Sequence, residues 1–313
     1  MEITVLRPGV GATIQDAGFR GLRAAGVPLG GAADPLALRV ANLLVGNSED
    51  AAGVEFALEG PELLFSAAAT VALAGADFSG APSWRPWTVA AGERLRFGEC
   101  RRGFYGYLAV RGGIDVPPVL GCRSTFVRGG FGGVEGRLLR EGDRLPVGIA
   151  PGGGRAGPAP SLFVSPALLP AYSAAPLVRV IAGAQAGELD PLTAAEFKVS
   201  AQSDRMGLRL RGPALVRRGG AELRSSPVAP GTVQVPPDGQ PIVLLAEAQT
   251  IGGYPRAAHV ISVDLPVVAQ LRPGETIRFQ EVALEAAERL LRQRERDLSF
   301  LRSGLRAHWG SAE

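Results

Sequence analysis

Apolar residues in this chain come in short runs, at 70–73, 105–110, 178–181, 208–210, 241–246 and 260–263, each flanked by turn-forming or charged positions. Short runs bounded in this way predict strands. In Arg94-Leu95-Arg96-Phe97 and Thr276-Ile277-Arg278-Phe279 every second side chain is apolar, the period of a strand with one buried face. Both segments follow a Gly-Glu step, and Gly142-Asp143 leads into Arg144-Leu145 in the same manner. A second echo links Leu58-Glu59-Gly60-Pro61-Glu62-Leu63 with Leu210-Arg211-Gly212-Pro213-Ala214-Leu215. Two readings stay open here: a duplicated half, or turn-strand units recurring by chance in a β-rich chain.

The pattern switches to a helical period twice. Asp34 is placed to cap a helix that Pro35 opens and Gly46 closes, with Leu36, Val40, Leu43 and Leu44 on one face. From about 283 to 305, Leu284, Ala287, Leu291, Leu298 and Leu301 form an apolar stripe, and Glu285–Arg289 and Glu288–Arg292 are i,i+4 pairs on its wet side. With 43 glycines and 25 prolines among 313 residues, the chain is expected to be mainly β, built as sandwiches or barrels with a few short helices and a C-terminal helix. Its length predicts two domains. The Pro/Gly-rich stretch 151–176 is read as a linker between an N-terminal β-barrel domain (1–150) and a C-terminal β-barrel domain carrying the terminal helix (177–313).

Charge and rare residues exclude several functions. Thirty-three basic residues face 30 acidic ones, and the arginines are scattered among carboxylates, so no footprint for a nucleic-acid backbone forms. Lys198, the only lysine, lies in Phe197-Lys198-Val199, which excludes a Walker A loop and a Met-Lys-Met biotin attachment site. Cys100, Cys122, His259 and His308 lack metal-ligand spacing, so no metal site is expected. Two cysteines, no leader-like start and no apolar run of about 18 residues predict a reduced, cytoplasmic protein without a membrane span.

Polar chemistry concentrates in loops. Glycines and polar residues crowd 11–18 and 26–34, where backbone amides could approach a ligand or simply turn the chain. Arg123-Ser124-Thr125 and Arg128-Gly129-Gly130-Phe131-Gly132-Gly133 combine guanidinium groups with a glycine loop, a pairing suited to anions. Ser203-Asp204-Arg205-Met206-Gly207 sets a hydroxyl, a carboxylate and a guanidinium side by side before a strand. The densest region runs from Gln234 through Gln240, Glu247, Gln249 and Thr250 to Gly252, Gly253 and Tyr254, with its polar loops bracketing an apolar strand. Glutamine amides both donate and accept, which suits recognition of an amide, a urea or a lactam.

These same blocks, above all Ser203-Asp204-Arg205-Met206-Gly207 and Gln249-Thr250-Ile251-Gly252-Gly253-Tyr254-Pro255, resemble the KipA-like family along nearly the whole chain. That family comprises the C subunit of bacterial ATP-dependent 5-oxoprolinase and is also described as allophanate hydrolase subunit 2 or a biotin-dependent carboxyltransferase family. The resemblance implies two cyclophilin-like β-barrel units, a KipI-like protein as direct partner, and a LamB/YcsF-like protein as the third member of the complex. It implies cleavage of 5-oxo-L-proline to L-glutamate with ATP and possible Mg2+ as ligands. Asp204, Arg205, Gln249 and Thr250 become the catalytic candidates. Gln234, Gln240, Glu247, Gly252, Gly253 and Tyr254 become the substrate wall, and Arg123, Ser124, Arg128 and Gly130 the phosphate site. Departures stand at Cys122, Glu247, Ile251 and Ser225-Ser226, where the family more often carries Ser, Asp, Thr and Ser-Glu. Two alternatives remain: a carboxyltransferase component acting on urea or a similar amide with carboxybiotin from another protein, and a non-enzymatic antagonist of a KipI-like kinase inhibitor.

Overall fold

The computed structural model describes residues 1–150, 162–219 and 222–309. The Gly152-Gly153-Gly154 part of the expected linker lies outside the described residues. The chain divides into two compact units, one of Met1–Phe19, Gly30–Leu169 and Glu295–Glu313, the other of Arg20–Leu29 and Pro170–Arg294.

The first unit is built from two antiparallel sheets. One orders Arg94–Arg96, Glu62–Phe65, Glu2–Arg7 and Arg144–Pro146; the other orders Val10–Gln15, Gly53–Ala57, Cys100–Val110, Ala69–Phe78 and Pro86–Val89. Alternate residues Ile3, Val5, Leu63, Phe65, Leu95 and Leu145 from the first meet Ile14, Val54, Phe56, Val71, Leu73 and Leu108 from the second in one core. Phe56 anchors it, with ring centroids 4.8 Å from Phe78 and 5.1 Å from Phe97. The opposite face of the five-stranded sheet carries the small side chains Ala72, Ala74 and Ala109, which let the helix Pro35–Leu44 pack closely. Asp34 caps that helix as expected, its carboxylate accepting from Ala37 N at 3.0 Å.

The second unit is a closed barrel of Leu177–Ala182, Arg256–Val260, Thr232–Gln234, Ile242–Leu244, Gly207–Arg211, Glu196–Val199 and Thr276–Glu281. A parallel pairing of the last strand with the first closes it. Val178, Val180, Phe197, Leu208, Leu210, Val233, Val243 and Ile277 fill the interior. Full closure removes the open edges on which strands of different chains pair. The β class read from the sequence therefore holds, with a closed barrel in one unit and two packed sheets in the other.

The unit boundaries differ from those drawn on the sequence. Residues Arg20–Leu29 belong with the barrel unit, where the Arg23 guanidinium donates to Val228 O. The C-terminal helix, Leu284–Trp309, was expected on the C-terminal domain, yet from Glu295 onward it belongs to the first unit. Arg39 grips Glu295 with two bonds of 2.9 and 2.7 Å, and Leu298 and Leu305 enter the hydrophobic cluster around Pro35–Leu44. Trp309 ends the helix beneath the Arg111 guanidinium, 4.4 Å from its ring.

The three turn-strand echoes share one construction. Gly92, Gly142 and Gly274 have φ of 77°, 85° and 94°, a left-handed conformation that costs glycine little. The acidic side chain after each glycine then accepts from the backbone N–H three residues before it: Glu93 from Ala90 at 2.7 Å, Asp143 from Arg140 at 2.7 Å and Glu275 from Arg272 at 2.8 Å.

Candidate functional site

A cavity of about 260 Å³ lies on the barrel unit, lined among others by Met206, Arg209, Gln234, Ile242, Gln249 and Tyr254. It is on the outside of the barrel. Val233 and Val243 are interior residues, so their strand neighbours Gln234, Ile242 and Leu244 face outward. The chain still buries that outer face, because Val228, Leu244 and Ala248 pack over it with Ile242. Gln234 is consequently only 1% exposed although it is not a core residue.

Two glutamines form the polar end of the cavity. Gln249 Nε2 donates to Gln234 Oε1 at 3.1 Å, which fixes the Gln234 amide with its own Nε2 turned the other way. That Nε2 is buried and has no hydrogen-bond partner in the described structure. An unpaired buried donor costs about 1–3 kcal/mol, a cost that an acceptor brought within reach would relieve. Gly252 completes the cradle: a Cβ there would stand 2.5 Å from Gln234 Nε2, so any side chain would press on the amide. The strand irregularity between Val233 and Gln234 sets this side chain apart from the regular ladder.

The Ser203–Gly207 turn borders the cavity, and its charged residues are used within the chain. Asp204 Oδ1 accepts from Met206 N at 2.9 Å and Gly207 N at 3.2 Å, bonds that hold the turn itself. Arg205 Nε donates to Glu247 Oε1 at 2.5 Å, with the two side chains 18% and 5% exposed, and Glu247 N donates to Arg205 O. Gly207 is required by packing, since a Cβ would meet Ile242 Cγ2 at 2.8 Å. A larger cavity of about 700 Å³, lined by Leu215, Arg217, Leu223, Pro237 and Pro255, shares Tyr254, Pro236 and Asp238 with the smaller one.

In the first unit a different node forms around Asp16. Its carboxylate accepts from Ser124 Oγ at 2.5 Å, Arg123 N at 2.6 Å, Gly18 N at 2.9 Å and Cys122 Sγ at 3.0 Å. The node ties the 11–18 loop to the 122–125 segment. Burial, reinforced by the Asp16 carboxylate, pushes the Cys122 thiol up to about 12, which keeps it protonated and unreactive.

The carboxyltransferase domain, subdomain A and B, matches residues 25–281, a span that includes the whole of this cavity. The chain belongs to that carboxyltransferase family. Over 296 residues it is 40% identical to the C subunit of 5-oxoprolinase from Escherichia coli (strain K12), covering 91% of this chain and 93% of that protein. It is 37% identical to the C subunit of 5-oxoprolinase from Haemophilus influenzae, covering 93% and 94%. Among solved structures, the K. lactis urea amidolyase superposes with a TM-score of 0.88 at 29% identity over 96% of this chain. This chain spans a fifth of that protein's length, 20%.

Of the residues predicted from the sequence, the fold of this family member brings Gln234, Gln240, Gln249 and Tyr254 to one cavity, with Gly252 against its glutamines. Gln240 does not offer its amide to a ligand, however. Its Oε1 accepts from Gly212 N at 2.9 Å and its Nε2 donates to Gly212 O at 3.1 Å, so both ends are taken by backbone. Asp204 and Arg205, predicted as catalytic, stand in the turn that borders the cavity, Asp204 holding the turn and Arg205 paired with Glu247, itself predicted to touch substrate. Thr250 O accepts from Val228 N, tying the loop beneath the cavity, and Gly253 stands 3.4 Å (as a Cβ) from Ser225 Oγ.

The predicted phosphate residues are in the other unit. Ser124 is fully buried and its hydroxyl serves Asp16, while the Arg123 guanidinium holds Asp115 at 2.7 Å. Gly132 and Gly133 press onto Ser124 and Thr125, where Cβ atoms would fall 2.0 and 1.9 Å away. The glycines there permit close packing. Arg128 and Gly130 are exposed on the same loop. No group of three or more His, Cys, Asp or Glu side chains able to hold a metal occurs among the described residues, and no helix there is long and apolar enough to cross a membrane.

Sequence reasoning missed Arg209. It looked like one polar position in an alternating strand, and only its ladder partners reveal what it faces: Arg209 pairs with Ile242, which pairs on its other side with Gln234.

Proposed function

We propose that this chain is the C subunit of an ATP-dependent 5-oxoprolinase and supplies the lactam-recognition cavity of the complex. The observation that carries the reading is the end-to-end match at 40% identity, covering more than nine tenths of both chains, with a protein named for that role. The cavity supports it, because a buried amide donor held in place by a second amide is suited to a carbonyl oxygen. A lactam is a weak electrophile by virtue of its amide resonance, and binding of its carbonyl oxygen by a fixed donor favours charge on that oxygen. Gln234 thus binds and orients, Gln249 holds Gln234, and Tyr254, 47% exposed at the cavity wall, covers the ligand.

This reading gives the nucleotide to another member of the complex, since the fully buried Ser124 hydroxyl serves Asp16 and the Arg123 guanidinium holds Asp115. In this reading a KipI-like protein is the direct partner and a LamB/YcsF-like protein completes the reaction. The test is to combine the chain with those two proteins and follow glutamate formed from 5-oxoproline with ATP, with each of the three omitted in turn. Glutamate formed only by the full set supports the reading, and none from the full set defeats it.

The second reading is carboxyl transfer to urea or a similar amide, favoured by the TM-score of 0.88 to the K. lactis urea amidolyase. It predicts that urea consumes carboxybiotin from a separate carrier in the presence of this chain. Lower identity, 32% and 30% to the urea amidolyases of Lachancea kluyveri and Saccharomyces cerevisiae, places it second.

A further inference from the structure

Three adjacent barrel strands place Arg209, Ile242 and Gln234 in a single row. Residues directly opposite in an antiparallel ladder share a face, and Ile242 is opposite both others. At about 4.8 Å between strands, the backbones at the ends of the row are about 10 Å apart. The row therefore reads donor, apolar, donor along the cavity, and its two ends differ. Gln234 is buried, neutral and carries the unpaired Nε2. Arg209 is exposed, and its guanidinium has no hydrogen-bond or ion-pair partner among the described residues. The other charges lining the cavity are already matched: Arg211 faces Asp238 at 3.5 Å, and Asp238 also accepts from Gln240 N at 3.1 Å. An anion at the cavity rim would therefore meet one uncommitted positive charge, whereas a charge at the Gln234 end would be buried against a neutral amide.

We propose that Arg209 and Gln234 form a two-point selectivity row for a small carboxylated amide. The ligand's carbonyl oxygen accepts from Gln234 Nε2, its carboxylate pairs with Arg209, and its apolar carbons lie on Ile242. This rests on the lactam reading of the cavity and adds the group that separates an acidic lactam from a neutral amide such as urea. Arg209, absent from the candidates drawn from the sequence, becomes the residue that determines that choice.

The full-length chain is titrated calorimetrically with 5-oxo-L-proline and with 2-pyrrolidinone, the same ring without its carboxylate. The parent should bind the acid at least about tenfold more tightly. Arg209→Met should bring that ratio near one while leaving pyrrolidinone affinity within about twofold, and Gln234→Leu should weaken both ligands by about tenfold or more. Melting curves of both variants, Arg209 being exposed, establish that they are folded. Equal affinities in the parent, no binding of either ligand, or an unchanged ratio in Arg209→Met each overturn the proposal. The reconstituted complex separates the two levels. If it forms glutamate and Arg209→Met leaves KM for 5-oxoproline unchanged, the row is refuted and the 5-oxoprolinase assignment stands. If the complex is inert yet the chain still selects the acid through Arg209, the row stands and the 5-oxoprolinase assignment falls.

Discussion

Arg205→Met tests whether the buried charges beside the cavity build the site or carry out its chemistry. The substitution leaves Glu247, 5% exposed, without the guanidinium that now sits 2.5 Å from its Oε1. Removing one partner of a buried pair costs about 3–5 kcal/mol, because the remaining charge has lost both water and counter-ion. Arg205 is 18% exposed, so the lower end, about 3 kcal/mol, applies here. For a unit of this size that corresponds to a fall in Tm of roughly 10 °C. Circular dichroism melting of the parent, Arg205→Met, Glu247→Leu and the double variant completes a double-mutant cycle. Each single variant should melt well below the parent. The double variant, with no charge left to strand, should return to within about 1 kcal/mol of it. The reasoning is refuted if Arg205→Met melts within about 2 °C of the parent while the reconstituted complex loses turnover by about 100-fold or more, a loss of about 2.7 kcal/mol in transition-state stabilisation. That outcome would return Arg205 to a catalytic role.

Two further expectations follow from neighbouring groups. Asp204→Ala removes the acceptor of Met206 N and Gly207 N and should lower stability by about 1 kcal/mol with turnover of the folded complex retained, measured by denaturant melting and steady-state kinetics; a normal melt with turnover lost would assign Asp204 to chemistry. His259 lies 3.2 Å from Thr232 Oγ1, and burial first, then Arg256, lowers its pKa below the ordinary 6.5. The unfolded chain therefore takes up this proton at a higher pH than the folded one, so the contribution is intact above about 6.5 and is lost as pH falls below it. Urea unfolding at pH 5.5 and 7.5 should show a smaller pH-dependent loss in His259→Asn than in the parent, and an equal loss in both would contradict the assignment.

The strand pattern, the Asp34 cap and the three Gly-acid turns were legible from local sequence because local forces produce them: alternation, a side-chain oxygen three residues from an amide, and a left-handed glycine. The crowding of glutamines at 234–254 was legible too, and the fold brings Gln234, Gln240 and Gln249 to one cavity. The sequence left the use of each polar group open. Adjacent Asp204 and Arg205 are set side by side by the sequence, but that Arg205 also meets Glu247, 42 positions away, is decided by the fold. Ser124 read as a phosphate ligand, and the fold sets its hydroxyl against Asp16, 108 positions away. The C-terminal helix carries its apolar stripe in the sequence, whereas its attachment to the first unit depends on Arg39 and Glu295, 256 positions apart. Arg209 became part of a row only when Ile242 paired with it on one side and with Gln234 on the other. Propensity and capping act over a few residues and are written in order along the chain. Ladder register and ion-pair choice are set by which segments barrel closure brings together, and that is decided by the whole fold.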